Sequence, residues 1–117
     1  PNFNKMNKFD EKLAQYVEDA KKIGIAIDEN LLKLVTKGLG PSIYSKDAST
    51  VAGTDQTELD RLKNNFLIKK LGLKDGPELN DAIHEVLKTM GTSNKNKHRA
   101  LVYYLLTVKF NKQSLYK

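Results

Sequence analysis

Ala100-Leu101-Val102-Tyr103-Tyr104-Leu105-Leu106 is the longest unbroken apolar stretch of this sequence, and it decides the fold. Its β-branched and aromatic residues are also compatible with a strand. No second stretch has the pattern of a partner strand, so we interpret residues 94–110 as a helix that is apolar on nearly every side. Such a helix belongs at the centre of a bundle. The stretch is far shorter than the roughly 20 residues of a membrane-spanning helix, so no membrane partner is expected.

Four amphipathic stretches precede this central helix, at about residues 9–23, 29–39, 56–71 and 77–90. In each of them apolar residues recur three and four positions apart, which places them on one face of a helix. The sequence therefore predicts an all-α fold, a compact bundle of four to five helices. Its simplest arrangement is two helical hairpins packed around the C-terminal helix.

Polar residues mark the expected starts of the helices. Asp28 is the predicted N-cap of the second helix, Thr54 and Asp55 are the predicted caps of the third, and Glu58 is placed for a capping box. The fifth helix is expected to begin near Asn94, with Thr92 or Ser93 as its cap.

A short repeat is consistent with two hairpins. Lys21-Lys22-Ile23-Gly24-Ile25 matches Lys69-Lys70-Leu71-Gly72-Leu73 at an offset of 48 residues, and each copy contains a glycine that ends a helix. Duplication of a hairpin explains the match, and so does the shared composition of helix–glycine–helix connections. Two copies are too few for a solenoid.

Residues 42–53 form a polar connection that is long for a small domain. Such a segment is either functional or contains a short helical turn. Ile43, Tyr44 and Val51 are the apolar residues expected to anchor it in the core.

The composition excludes several classes of protein. The chain has 117 residues, of which 39% are hydrophobic and 29% charged, as is typical of one globular domain. It has no cysteine, which excludes disulfides, thiolate metal sites and cysteine nucleophiles. No motif for a cofactor or a metal occurs, and we expect a cytoplasmic protein. Residues 1–5, ahead of Met6, are interpreted as a vector remnant or processed leader, and residues 6–117 as a single helical domain.

Several stretches of this sequence carry a resemblance to a known family: Lys8-Phe9-Asp10-Glu11, Gly40-Pro41-Ser42-Ile43-Tyr44-Ser45-Lys46-Asp47-Ala48, Asn65-Phe66-Leu67-Ile68-Lys69-Lys70-Leu71-Gly72-Leu73, Ser93-Asn94-Lys95-Asn96-Lys97, Arg99-Ala100 and Tyr103-Tyr104-Leu105-Leu106. Together they resemble a family of small bacterial proteins classified only as a domain of unknown function. The resemblance extends from Met6 to about Lys112. It implies no activity, cofactor or catalytic residue.

The basic residues are concentrated in the second half of the chain. Residues 61–117 hold 12 basic and 4 acidic residues, against 8 and 10 in residues 1–60, and the formal net charge is +6. This asymmetry favours an anionic partner, either nucleic-acid backbone or an acidic protein, although a solvated lysine-rich surface has the same composition. The predicted anion-binding residues are Lys95, Lys97, His98 and Arg99 at the start of the fifth helix, together with Lys69 and Lys70.

Two other functions are open to this sequence. A protein–protein adaptor or homodimer would use Tyr103, Tyr104 and apolar residues near Tyr116. A small enzyme or metal binder would use His84 with Asp81, one helical turn before it. A di-metal site in a bundle needs a second such pair, which the sequence lacks. A non-enzymatic binding module without cofactor or metal is therefore expected.

Overall fold

The computed structural model describes residues 7–116, which form five α-helices with short helical segments between and after them. The α-helices are α1 (Lys8–Lys22), α2 (Glu29–Leu39), α3 (Gln56–Arg61), α4 (Pro77–Met90) and α5 (Arg99–Lys109). The other segments are a 3₁₀ turn after α2 (Gly40–Tyr44), a π-helical continuation of α3 (Leu62–Lys70) and a 3₁₀ turn after α5 (Gln113–Leu115). The predicted vector remnant at residues 1–5 and the start at Met6 lie outside the described residues.

The helices pack as the predicted all-α bundle. α1 contacts α2, the π-helical segment contacts α4, and α1, α2 and α4 all contact α5. Leu101, Val102 and Leu106 of α5 are completely buried, and burial of each such side chain contributes about 2 kcal/mol. The apolar stretch is thus the central helix that the sequence predicts. Within residues 7–116, no helix combines the length and the apolar character needed to cross a membrane.

Aspartates begin α2 and α3, as predicted. Asp28 Oδ1 accepts hydrogen bonds at 3.0 and 3.3 Å from the backbone N–H groups two and three residues further on. Asp55 Oδ1 does the same at 3.0 and 3.4 Å. The predicted capping box is only half formed, because the Glu58 side chain accepts from Arg99 instead of reaching back to the Asp55 backbone.

In both copies of the repeat, the helical segment ends just before a glycine in the left-handed conformation. Gly24 and Gly72 have φ values of 75° and 73°, in the left-handed region that favours glycine. In both copies the next residue donates its N–H to a carbonyl in the preceding helical turn, at 2.9 and 3.0 Å. The shared glycine therefore ends both segments, but the accepting carbonyls are not equivalent, since Ala20 lies five residues before Ile25 and Leu67 six residues before Leu73.

The start of α5 differs from the prediction. The helix begins at Arg99 and not near Asn94, so the predicted caps lie in a turn ahead of it. The Val51 N–H donates to the Lys97 carbonyl at 2.9 Å, and the Arg99 N–H donates to the Ser49 carbonyl at 2.8 Å. This pairing holds the backbone just before α5 in an extended conformation, so the helix begins only at Arg99.

The long connection contains the short helical turn that its length allowed, at Gly40–Tyr44. Ile43 and Val51 are buried anchors, as predicted. The prediction for Tyr44 is wrong, since 47% of this residue is exposed. In a 3₁₀ turn adjacent side chains point in different directions, so Ile43 and Tyr44 do not both face the core.

Candidate functional site

A groove of about 1330 Å³ is lined by segments that are distant in sequence. They are the stretch from Ser45 to Asp55, which includes most of the long connection, two residues of α3, the second half of α4, the turn from Thr92 to Lys97, and Arg99 at the start of α5. Buried Val51 and Leu87 give the groove an apolar base. The groove therefore joins the long connection and the basic segment before α5, which are distant in the sequence.

Arg99 holds the connection in place. Its backbone N–H donates to the Ser49 carbonyl at 2.8 Å, Nε donates to the Ala48 carbonyl at 2.7 Å, and Nη2 donates to the Thr50 carbonyl at 3.2 Å. Nη2 also donates to the Glu58 carboxylate. One residue thus binds three consecutive carbonyls and an acidic side chain, and it positions the connection that lines the groove.

The charge of Arg99 is compensated inside the protein. Burial lowers the pKa of Arg99, but the hydrogen bonds to Glu58 and to the Tyr103 hydroxyl outweigh that effect and raise the pKa above its usual value. The guanidinium also lies over the Tyr103 ring, with its carbon 5.7 Å from the ring centroid. Arg99 is therefore a charged structural residue, and an incoming anion would compete with Glu58 for it.

Lys97 and His98 are also committed to contacts within the protein. They are 8% and 6% exposed. Lys97 Nζ donates to the carbonyls of Thr92 and Asn94 at 3.3 and 2.6 Å, which closes the turn before α5. His98 Nε2 lies 2.6 Å from Asp19 Oδ2 and connects this turn to α1. Both side chains stabilise the fold at positions where the sequence predicted anion contacts.

Four cations on the groove are exposed. Lys46 belongs to the long connection, Arg61 ends α3, Lys88 belongs to α4, and Lys95 lies in the turn before α5. None of them forms an ion pair with any residue between 7 and 116. Their charges are available to a ligand in the groove.

The lining carries an excess of positive charge. It includes six cationic and three anionic side chains, with histidine counted as neutral. Two of the anions have internal partners, since Asp55 caps α3 and Glu58 accepts from Arg99. Asp47 has no such partner among the described residues. The electrostatics of the groove therefore favour an anion.

Lys69 and Lys70 lie apart from the groove. They are exposed at the end of the π-helical segment, and neither of them lines the groove. Lys70 Nζ instead stands 4.9 Å from the centroid of the Tyr116 ring. Of the six residues predicted to bind an anion, Lys95 alone is both exposed and on the groove.

Sequence reasoning did not select Lys46, Arg61 and Lys88 as site residues. The unusual length of the connection was a signal for Lys46, and the basic character of the second half of the chain was a signal for Lys88. Neither signal indicates that the two residues share a groove, because only the packing of the connection on the turn before α5 brings them together.

His84 and Asp81, the residues of the enzyme hypothesis, are both exposed on α4. His84 lines the groove and Asp81 does not. Among residues 7–116 there is no group of three or more acidic and histidine side chains that could hold a metal ion. The structure thus offers His84 as a polar group on the groove and does not join it to Asp81.

The tyrosines of the adaptor hypothesis contribute to the core. Tyr104 is 4% exposed, and its hydroxyl accepts a hydrogen bond at 2.8 Å from the Asp28 N–H. Tyr103 is half-buried and stacks on Phe66, with ring centroids 3.8 Å apart. These two rings connect α5 to its neighbours, whereas Leu115, next to Tyr116, is 47% exposed. The apolar residues predicted near Tyr116 therefore include an exposed side chain.

Comparison with known families agrees with the resemblance seen in the sequence. Residues 15–114 match a family model described as "Protein of unknown function (DUF2853)". The chain belongs to the DUF2853 family. The matched residues include the whole lining of the groove and all of α5. No curated protein matches this DUF2853 chain.

Proposed function

We propose that this DUF2853 protein is a non-enzymatic binding module of the cytoplasm, and that its groove binds the sugar–phosphate backbone of a nucleic acid. One observation carries the proposal: Lys46, Arg61, Lys88 and Lys95 are exposed around the groove and form no ion pair within the described chain. A row of phosphates is the ligand that best matches several separate positive charges along one groove.

The residue types favour binding without sequence selectivity. Three of the four exposed cations are lysines, whose compact ammonium groups contact phosphate as point charges. Bidentate recognition of guanine is a property of arginine, and Arg99 is already bound to carbonyls and Glu58. Arg61 is the other arginine of the chain. We therefore expect affinity to come from backbone contacts.

The proposal predicts a steep dependence on salt. Four phosphate contacts release about four counterions, so log K should fall against log salt with a slope of about −3 to −4. We would titrate fluorescently labelled DNA and RNA oligomers with the protein and follow anisotropy, first at low salt and then near physiological salt. The expected dissociation constant near physiological salt is between about 1 and 100 μM, the range of sequence-neutral binding.

Two charge-matched variants locate the site. The groove variant combines Lys46→Glu, Lys88→Glu and Lys95→Glu, and the control variant combines Lys33→Glu, Lys37→Glu and Lys69→Glu. All six lysines are exposed and lack ion pairs in the described chain, so both variants change the net charge equally. The groove variant should bind at least about tenfold more weakly, because each lost phosphate contact lowers the affinity.

The control variant should retain most of the affinity, and thermal unfolding should show that both variants fold. Equal weakening by the two variants would mean that net charge, and not the groove, attracts nucleic acid. Absence of binding by the unmodified protein at low salt would contradict the proposal and would direct the search to acidic protein partners.

A further inference from the structure

We infer that the groove selects double-stranded over single-stranded nucleic acid. This inference rests on the proposed function and goes beyond it, since phosphate contacts alone occur with both forms. It is carried by the kinds of side chain that line the groove.

Within residues 7–116, the groove has no phenylalanine, tyrosine or tryptophan ring on which a base can stack. Its lining residues all lie in the described part of the chain, and none of them is phenylalanine, tyrosine or tryptophan. Aliphatic side chains form its apolar base, and His84 is its single ring. Proteins that hold single strands place successive bases on aromatic side chains, and each stacked base strengthens binding substantially. For stacking, an unpaired strand would find only the His84 ring and the Arg61 guanidinium here, so most of its bases would stay in water.

Two tyrosines of α5 are committed elsewhere, and Tyr44, which is 47% exposed and precedes the lining residue Ser45, is not itself part of the lining. Tyr103 touches Arg99, but its ring stacks on Phe66 inside the fold. Tyr104 is buried and accepts a hydrogen bond from Asp28. Neither ring is available to a ligand without disruption of α5 packing.

A duplex supplies what this groove can bind. Its bases stack on and pair with one another, and its phosphates face outward along both strands. The exposed cations come from four different elements, with Lys46 in the connection, Arg61 at the end of α3, Lys88 on α4 and Lys95 before α5. Contacts with the preformed phosphates of a duplex require no ordering of a flexible strand.

The test compares the affinities of duplexes and single strands of equal length. Anisotropy titrations at one low salt concentration would use a mixed-sequence 20-base-pair DNA duplex, the RNA duplex of the same sequence, and an unstructured oligo(dT) of 20 nucleotides. We expect at least one duplex to bind about fivefold or more tightly than oligo(dT). The ratio between the two duplexes tells which helical form fits the groove, and a duplex preference of either kind supports the inference.

Failure of the inference is distinct from failure of the proposed function. If oligo(dT) binds as tightly as both duplexes and the groove variant weakens it, the inference is overturned while the proposed function stands. If no probe binds at low salt, the proposed function itself fails and the inference fails with it.

A gain-of-function variant tests the physical reason for the preference. Ala52 is exposed and lines the groove, so Ala52→Tyr introduces a ring where the native protein has none. The variant should bind oligo(dT) about fivefold or more tightly while its affinity for duplex changes little, since base–aromatic stacking strengthens only the single-strand complex. Unchanged oligo(dT) binding by a folded Ala52→Tyr variant would contradict the stacking argument.

Discussion

The Arg99 guanidinium donates to the Glu58 carboxylate and so joins the first residue of α5 to the first turn of α3, 41 positions earlier in the sequence. The same guanidinium donates to the carbonyls of Ala48 and Thr50. Charge-assisted hydrogen bonds of this kind are about twice as strong as neutral ones. The conformation of the long connection, and hence the shape of the groove, depends on this one side chain.

Replacement of Arg99 should therefore destabilise the protein. Arg99→Ala leaves Glu58 and two carbonyls without their donor, and we expect a loss of about 2–4 kcal/mol in the free energy of unfolding. Glu58→Gln should cost less, because an amide oxygen still accepts from the guanidinium. Urea denaturation measures both values. Hydrogen exchange at the Val51 amide, which donates to the Lys97 carbonyl, should accelerate in Arg99→Ala. Equal stability of Arg99→Ala and the unmodified protein would contradict the assigned role.

Two tyrosine hydroxyls should have opposite effects on stability. Tyr16 is 1% exposed, and its hydroxyl has no hydrogen-bond partner among the described residues. Tyr16→Phe should raise the free energy of unfolding by about 1 kcal/mol, since a buried unsatisfied polar group is removed. The matched variant Tyr104→Phe should lower it by about the same amount, because the Asp28 N–H loses its acceptor. Chemical denaturation of both variants checks the difference in sign, and destabilisation by Tyr16→Phe would contradict the prediction.

Stability should decline at alkaline pH. Burial, and secondarily the nearby Tyr44, raises the pKa of Tyr16 to about 12, and burial with the neighbouring Tyr103 raises the pKa of Tyr116 to about 12. In the unfolded chain both groups ionise near pH 10. Ionisation of the unfolded state therefore begins first, so the contribution to stability is complete below pH 10 and is lost as the pH rises towards 12.

Tyrosinate absorbance, measured with unfolding free energies between pH 9 and 12, tests this pH dependence. Two of the five tyrosines, Tyr16 and Tyr116, should ionise at a higher pH than an ordinary tyrosine. Tyr16→Phe should remove part of the alkaline decline, at most about 1.4 kcal/mol per pH unit. An identical decline in the variant would show that other groups cause it.

Replacement of either glycine of the repeat by alanine should lower the stability of the protein. Gly24→Ala and Gly72→Ala place a Cβ atom in the left-handed conformation, so each should cost about 1 kcal/mol. Gly38 is the control, because it lies inside α2 and an added Cβ would stand 3.7 Å from the Tyr116 ring, an ordinary contact. Gly38→Ala should stabilise by up to about 1 kcal/mol through helix propensity. Thermal unfolding of the three variants gives the comparison, and equal effects at all three positions would contradict the conformational argument.

The bundle was predictable because helices depend on local patterns. Apolar spacing, the caps at Asp28 and Asp55, and the stops at Gly24 and Gly72 all act within a few residues, so the sequence predicted them correctly. The family resemblance was likewise confirmed, since residues 15–114 match a family of unknown function.

The candidate site was only partly predictable. The sequence indicated Lys95 and the long connection, but it also assigned anion contacts to Lys97, His98 and Arg99, whose polar groups bind other parts of the protein. No local pattern distinguishes a lysine that faces solvent from one that closes a turn. That distinction requires the distant partners, such as Asp19 for His98.

The sequence by itself determined the all-α class and the approximate positions of the helices, because hydrogen bonds and side-chain spacing within a helix are short-range. It did not indicate that residues 62–70 are π-helical. Only the tertiary structure decided where α5 begins and which cations share a groove. Both depend on the pairing of Val51 with Lys97 and of Ser49 with Arg99, contacts between residues that are far apart in the sequence. Their formation depends on the packing of the whole bundle, which holds the long connection against the start of α5.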